Sequence, residues 1–168
     1  MSFNFSGEKC QGKTNKKLFG LCDAPPPAKT PAYLDEKNGG QWIAVVANED
    51  RYEVTFTAID HCINTVKEDG KMAQRCDGML TYNSTVTFIE LKERKGLGAK
   101  WVKDAEKQLR TSIDYFEDTD DAEEYTVKKA YIANSEHPKF KESQIRRMEQ
   151  FFVDTGYVLR IQNRIILE

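Results

Sequence analysis

The chain has 168 residues, a formal net charge of −2, 39% hydrophobic and 11% aromatic residues, which is enough apolar material for one folded domain. A charge so close to neutral excludes a generic polyanion binder, and no run approaches the ~18 apolar residues that mark a bilayer span. The polar opening Met1-Ser2-Phe3-Asn4 lacks signal-peptide character, so a cytoplasmic location with no membrane partner is expected.

Residues 1–40 hold Gly7, Gly12, Gly20, the run Pro25-Pro26-Pro27, Pro31 and Gly39-Gly40. They read as an irregular arm or covering segment in front of a single domain over 41–168. Within that arm Pro31 to Asn38 suits a short helix that the two glycines end. Trp42 to Ala47 and Glu53 to Ile59 read as strands joined near Asn48-Arg51. Ile59, Cys62, Ile63 and Val66 then follow helical spacing up to Gly70.

The next segment alternates strand formers around a turn: Cys76-Asp77-Gly78-Met79-Leu80-Thr81-Tyr82, Asn83-Ser84, Thr85-Val86-Thr87-Phe88-Ile89-Glu90-Leu91-Lys92. With Asn83-Ser84 as the turn, Tyr82 faces Thr85, Leu80 faces Thr87 and Asp77 faces Glu90. Leu97 to Glu117 is the best helix, with Trp101, Ala105, Leu109, Ile113 and Phe116 in one stripe. A strand from Glu124 to Ala133 follows, then a loop at His137-Pro138. A second helix runs from Lys141 to Asp154, with Ile145, Met148, Phe151 and Phe152 inward and Gly156 as its stop. Strands at Tyr157–Ile161 and Arg164–Leu167 finish the chain. The expected fold is α/β (α+β), a mixed central β-sheet flanked by helices.

The hairpin carries the chemistry. Directly opposed residues on antiparallel strands have β-carbons about 5 Å apart, and like charges so placed destabilise the pair. Lys92 shares a strand face with Glu90 and lies diagonal to Asp77. It can screen the two acids in a surface salt bridge, but the arrangement also suits a hard divalent cation. The tripeptide E-x-K is weak evidence alone, since Glu93-Arg94-Lys95 repeats it at once. Only Glu90-Leu91-Lys92 closes an apolar strand and has a carboxylate in register.

Charge is unevenly spread. From Lys92 to Arg110 seven basic residues face three acidic ones, and Asp114 to Glu124 then carries seven acids and no lysine or arginine. The basic block abuts the carboxylate pair, where a phosphate backbone would need it, although a solvated helix face explains the charges as well.

Asp77 and, thirteen positions on, Glu90-Leu91-Lys92 closing a strand before a helix resemble the PD-(D/E)xK nuclease superfamily. The resemblance implies a restriction-endonuclease-like core over about 41–133, with the C-terminal helix and strands as elaboration. It also implies Mg²⁺ (Mn²⁺ as substitute) held by Asp77, Glu90 and the Leu91 backbone carbonyl, and Lys92 as the lysine that orients the attacking water. Gln108 is similar to a helix glutamine of some branches that places the lysine or the substrate. Lys95, Lys100, Lys103 and Lys107 become substrate-binding candidates, DNA the expected partner, and a homodimer an admitted state. Cys76 stands where the motif has proline. An acid of the first core helix has four candidates, Glu36, Glu53, Asp60 and Glu68. Asp60 is favoured as a further metal ligand, set against a plain helix-capping role.

The expected function is metal-dependent hydrolysis of DNA phosphodiesters; the alternative is a catalytically inactive protein of the same fold that binds nucleic acid or another protein. Cys10, Cys22, Cys62 and Cys76 form no C-x-x-C pair and are read as reduced structural thiols rather than a zinc set. His61 and His137 are read as packing or loop residues.

Overall fold

The computed structural model describes residues 5, 8–25, 28–63, 74–93, 98–136 and 143–168. In chain order these contain β1 (Gln11–Thr14), β2 (Leu18–Cys22), β3 (Tyr33–Asp35), β4 (Ala44–Ala47), β5 (Val54–Ala58), β6 (Gly78–Tyr82), β7 (Thr85–Lys92), α1 (Lys100–Glu117), β8 (Val127–Asn134), α2 (Ile145–Thr155), β9 (Val158–Ile161) and β10 (Arg164–Ile166). The fold is α+β. A six-stranded sheet has the order β1-β5-β6-β7-β8-β9, and a four-stranded sheet the order β10-β4-β2-β3. Both are mixed: β7–β8, β8–β9 and β10–β4 run parallel and the other pairs antiparallel.

The apolar pattern of β7 explains the layering. Val86 and Phe88 join the helices in one core cluster, while Ile89 and Leu91 join the residues of the second sheet in another. Side chains alternate along a strand, so the large sheet is covered by helices on one face and by the small sheet on the other. A strand buried on both sides reads as a continuous apolar run. The α1 stripe predicted from spacing, Trp101, Ala105, Leu109, Ile113 and Phe116, is buried. On α2 only part of the expected face is inward. Phe151 is fully buried, but Ile145 and Phe152 are 57% and 52% exposed, because this helix covers only the β8–β9 end of the sheet. Gly156 ends it at φ 79, a left-handed cap that glycine adopts without strain.

Residues 1–40 are not an irregular arm. Three strands lie there, β1 on the edge of the large sheet and β2 and β3 in the small one. The expected helix over Pro31–Asn38 is instead β3, since Leu34 and Tyr33 pair with Leu21 and Cys22, and Asp35 Oδ2 accepts a bond from Trp42 Nε1 at 2.7 Å. Gly20, which reads as a breaker, is a packing position: a β-carbon there would come within 2.0 Å of the Trp42 ring. The strands around Asn48–Arg51 belong to different sheets, so this segment carries the chain from one layer to the other.

Cys10 and Cys62 form a disulfide, which corrects the expectation of four reduced thiols. The pairing β1–β5 sets Gln11 beside Thr57 and so brings together cysteines 52 residues apart. Cys22 and Cys76 are free and buried. Among the described residues no helix is long and apolar enough to cross a membrane. The helical continuation through Val66 to Gly70, the candidates Glu68 and Lys95, the helix starts Leu97 and Lys141, and His137-Pro138 all lie outside the described residues.

Candidate functional site

The Asn83-Ser84 turn sets the hairpin register, with Asn83 in the left-handed region at φ 48. Tyr82 pairs with Thr85, Leu80 with Thr87 and Gly78 with Ile89, so the next step places Asp77 opposite Glu90. Reciprocal bonds hold the two acids together. The Asp77 amide donates to Glu90 Oε1 at 3.1 Å, and the Leu91 amide donates to Asp77 Oδ2 at 2.7 Å. Gly78 permits the approach of β6 to β5, since a β-carbon there would lie 2.4 Å from the Phe56 ring.

Lys92 and Gln108 complete the group from either side of the β7–α1 connection. Lys92 Nζ lies 3.0 Å from Glu90 Oε2 and donates to Gln108 Oε1 at 3.2 Å. Gln108 Nε2 in turn reaches the Arg75 carbonyl at 3.5 Å. Helical spacing puts Gln108 beside the buried stripe, so the helix that packs on the sheet also fixes the lysine. The structure therefore brings together Asp77, Glu90, Leu91, Lys92 and Gln108.

Of the remaining described candidates, Asp60 and Lys107 line cavities with Lys92 and Gln108, whereas Glu36, Glu53, Lys100 and Lys103 line neither. Asp60 directs Oδ1 to Arg75 Nε at 2.5 Å and Oδ2 to His61 Nε2 at 3.3 Å; both oxygens are engaged, so it organises a cation and an imidazole. Glu36 and Glu53 are exposed. Lys100 is 88% exposed and paired with Asp104, and Lys103 is exposed, whereas Lys107 lines a cavity with Lys92 and Gln108.

Two site residues escaped the sequence reading. Asp23, directly after β2, lines the same cavity as Asp77 and Glu90 and enters the cluster from the small sheet. The available signal was an acid ending a short apolar strand, hidden by the proline run behind it. His61, expected as a packing or loop residue, lines the cavities on both sides. Its φ of 63 is uncommon for a residue with a side chain and gathers at functional positions.

A cavity of about 360 Å³ lies against Asp23, Asp77, Glu90 and Leu91, and one of about 560 Å³ lies against Gln74, Arg75, Asp104 and Lys107. Asp60, His61, Lys92 and Gln108 wall both, so the two form one groove. Asp77 and Glu90 at its floor are 6% and 3% exposed.

Burial, followed by the charge of Glu90, pushes the Asp77 carboxyl well above the usual range. Glu90 is also raised by burial, against the lowering pull of Lys92. Asp23 is pushed up to about 7, first by burial and then by the charge of Asp77. Burial thus favours the protonated form of Asp77 and Asp23, while Lys92 favours the charged form of Glu90. Cys76, fully buried beside them, has its thiol raised by burial and behaves as an inert apolar residue.

Among the described residues no group of three or more His, Cys, Asp or Glu side chains is disposed to hold a metal ion. The donors that do meet are carboxylate oxygens, the hard type that Mg²⁺ takes, and Mg²⁺ is commonly bound through one or two carboxylates with water and phosphate oxygens filling the rest. Asp77 and Glu90 fit that mode. A cation would also offset the cost of burying their charge.

Compared with protein-family models, with curated proteins and with solved structures, the chain matches none.

Proposed function

We propose that this protein is a metal-dependent nuclease that hydrolyses DNA phosphodiesters, with a restriction-endonuclease-like core built from β5, β6, β7, α1 and β8. The observation that carries the reading is the buried Asp77–Glu90 pair with Lys92 held at 3.0 Å from Glu90 and 3.2 Å from Gln108, opening onto a groove. A salt-bridged surface hairpin has no reason to bury its acids so completely, because isolated buried charge is costly.

When bound, Mg²⁺ or Mn²⁺ would neutralise the scissile phosphate and generate a reactive water near neutral pH. Asp77 and Glu90 would hold it, with the Leu91 carbonyl as a further oxygen beside the cavity. The Lys92 ammonium, fixed by two acceptors, places a positive charge and hydrogen-bond donors where the attacking water must be aimed. Gln108 holds the lysine in that position. Fixed charges of this kind favour a transition state with growing negative charge, since they need no rearrangement as it forms.

The test is nicking of plasmid DNA with Mg²⁺ or Mn²⁺, together with Glu90→Gln and Lys92→Ala variants whose circular dichroism matches the parent. Loss of nicking in both supports the enzyme. A second reading, a catalytically silent nucleic-acid binder, is favoured by the internal satisfaction of both Glu90 oxygens and Asp77 Oδ2; DNA binding without cleavage under either metal would establish it. The cytoplasmic location favoured by the sequence would keep Cys10 and Cys62 reduced, whereas an oxidising compartment would retain their bond.

A further inference from the structure

The groove narrows what such an enzyme could cut. We propose that its substrate is an unpaired DNA strand, entered by its backbone, and that duplex is excluded; this rests on the nuclease reading above.

Three observations lead there. The carboxylates lie on the floor of a recess, 6% and 3% exposed, and its walls come from separate layers: Asp23 and Pro25 after β2, Ile43 before β4, His61 after β5 and Gln108 on α1. A scissile phosphate must descend between these walls, and its neighbours must follow. A single strand bends to do so. Duplex DNA is stiff over roughly 150 bp, and pulling one nucleotide out of the stack costs unpairing and unstacking energy.

The second observation is the division of charge along the groove. Beyond Lys92 and Gln108 the adjoining cavity of about 560 Å³ carries Arg75 and Lys107. Its two acids are already engaged, Asp60 by Arg75 and His61 and Asp104 by Lys100. The same pairing engages Arg75, so Lys107 is the cation of this cavity that would meet the phosphate next to the scissile one. The third observation is what surrounds the groove. Net charge is −2, and Lys100, the first residue of α1, is paired within the protein. A duplex binder that neutralises several phosphates has a broader basic face than the described residues present beside the groove. Among the described residues lining the two cavities the only aromatic ring is His61. Asp60 fixes its edge, so its face suits one stacked base, and contact elsewhere is with the backbone. Binding should be indifferent to sequence.

The experiment uses the full chain and three fluorescent DNAs of one sequence: a single strand, a blunt duplex, and a duplex with an unpaired tail. Binding is read by anisotropy in Ca²⁺ and cleavage in Mn²⁺. The expected results are at least tenfold tighter binding of the single strand than of blunt duplex, and cuts confined to the tail. Lys107→Ala and His61→Ala should each weaken single-strand binding several-fold, with thermal stability and the preference over duplex retained. Equal binding and cutting of blunt duplex would overturn the proposal while leaving the nuclease reading intact. Preferential single-strand binding with no cleavage in Mn²⁺ would support it while sinking the nuclease reading. Failure to bind any of the three would overturn it.

Discussion

Asp23 and Asp77 face one cavity across the junction of two sheets, although 54 positions separate them in the sequence. The carboxyl pushed up to about 7 is in contact with another held well above the usual range. Each binds a proton in the folded protein at a pH where the unfolded chain has released it. Stability therefore falls as pH rises from about 4 through 7. In metal-free buffer the melting temperature should be higher at pH 5 than at pH 8, and Asp23→Asn should flatten that slope by gaining stability at pH 8. A rise in stability between pH 5 and 8 in the parent would contradict the assignment.

Divalent cation should reverse this penalty. At pH 7.5 Ca²⁺ or Mg²⁺ at a hundred times its dissociation constant stabilises a single-site protein by about 2.7 kcal/mol. A thermal shift of that order is expected in the parent and not in Asp77→Asn or Glu90→Gln. An equal shift in all three proteins would place the cation elsewhere.

Gln108 tests the positioning of Lys92. Its Oε1 accepts from Lys92 Nζ at 3.2 Å, and small displacements of a catalytic group are expensive. Gln108→Leu should lower kcat about 10- to 100-fold with KM nearly unchanged. A rise in KM at constant kcat would show that Gln108 contacts substrate instead.

The Cys10–Cys62 bond closes a long loop, with 52 positions between its ends. On the chain-entropy account it stabilises by ~4 kcal/mol. Reduction, or the double change Cys10→Ser and Cys62→Ser, should lower the melting temperature by on the order of 10 °C. Because Cys62 follows His61, the same change should also loosen the groove wall, visible as faster amide exchange over residues 59–63. Unchanged melting after complete reduction would remove the bond from the account.

The hairpin was legible because its information is local. A two-residue turn and the alternation of β7 fix which side chains oppose each other, and the apolar stripe of α1 was equally direct. What the sequence concealed depends on pairing across the chain. Gly20 looks like a break until Trp42 is packed against it, and Tyr33-Leu34 is a strand only because β2 lies alongside. Ile145 and Phe152 keep helical spacing yet stay exposed, since spacing predicts a face but not the extent of its partner. Asp23 was missed for the same reason. Its role exists only when the small sheet docks.

That docking has a consequence for the order of assembly during synthesis. The strand preceding Asp23 leaves the ribosome early, but its sheet is completed by Arg164–Ile166 pairing with Val45–Ala47. The wall carrying Asp23 therefore closes only after the last strand of the fold has emerged. A nascent chain would hold Asp77, Glu90 and Lys92 in hairpin register well before it possessed a finished recess around them.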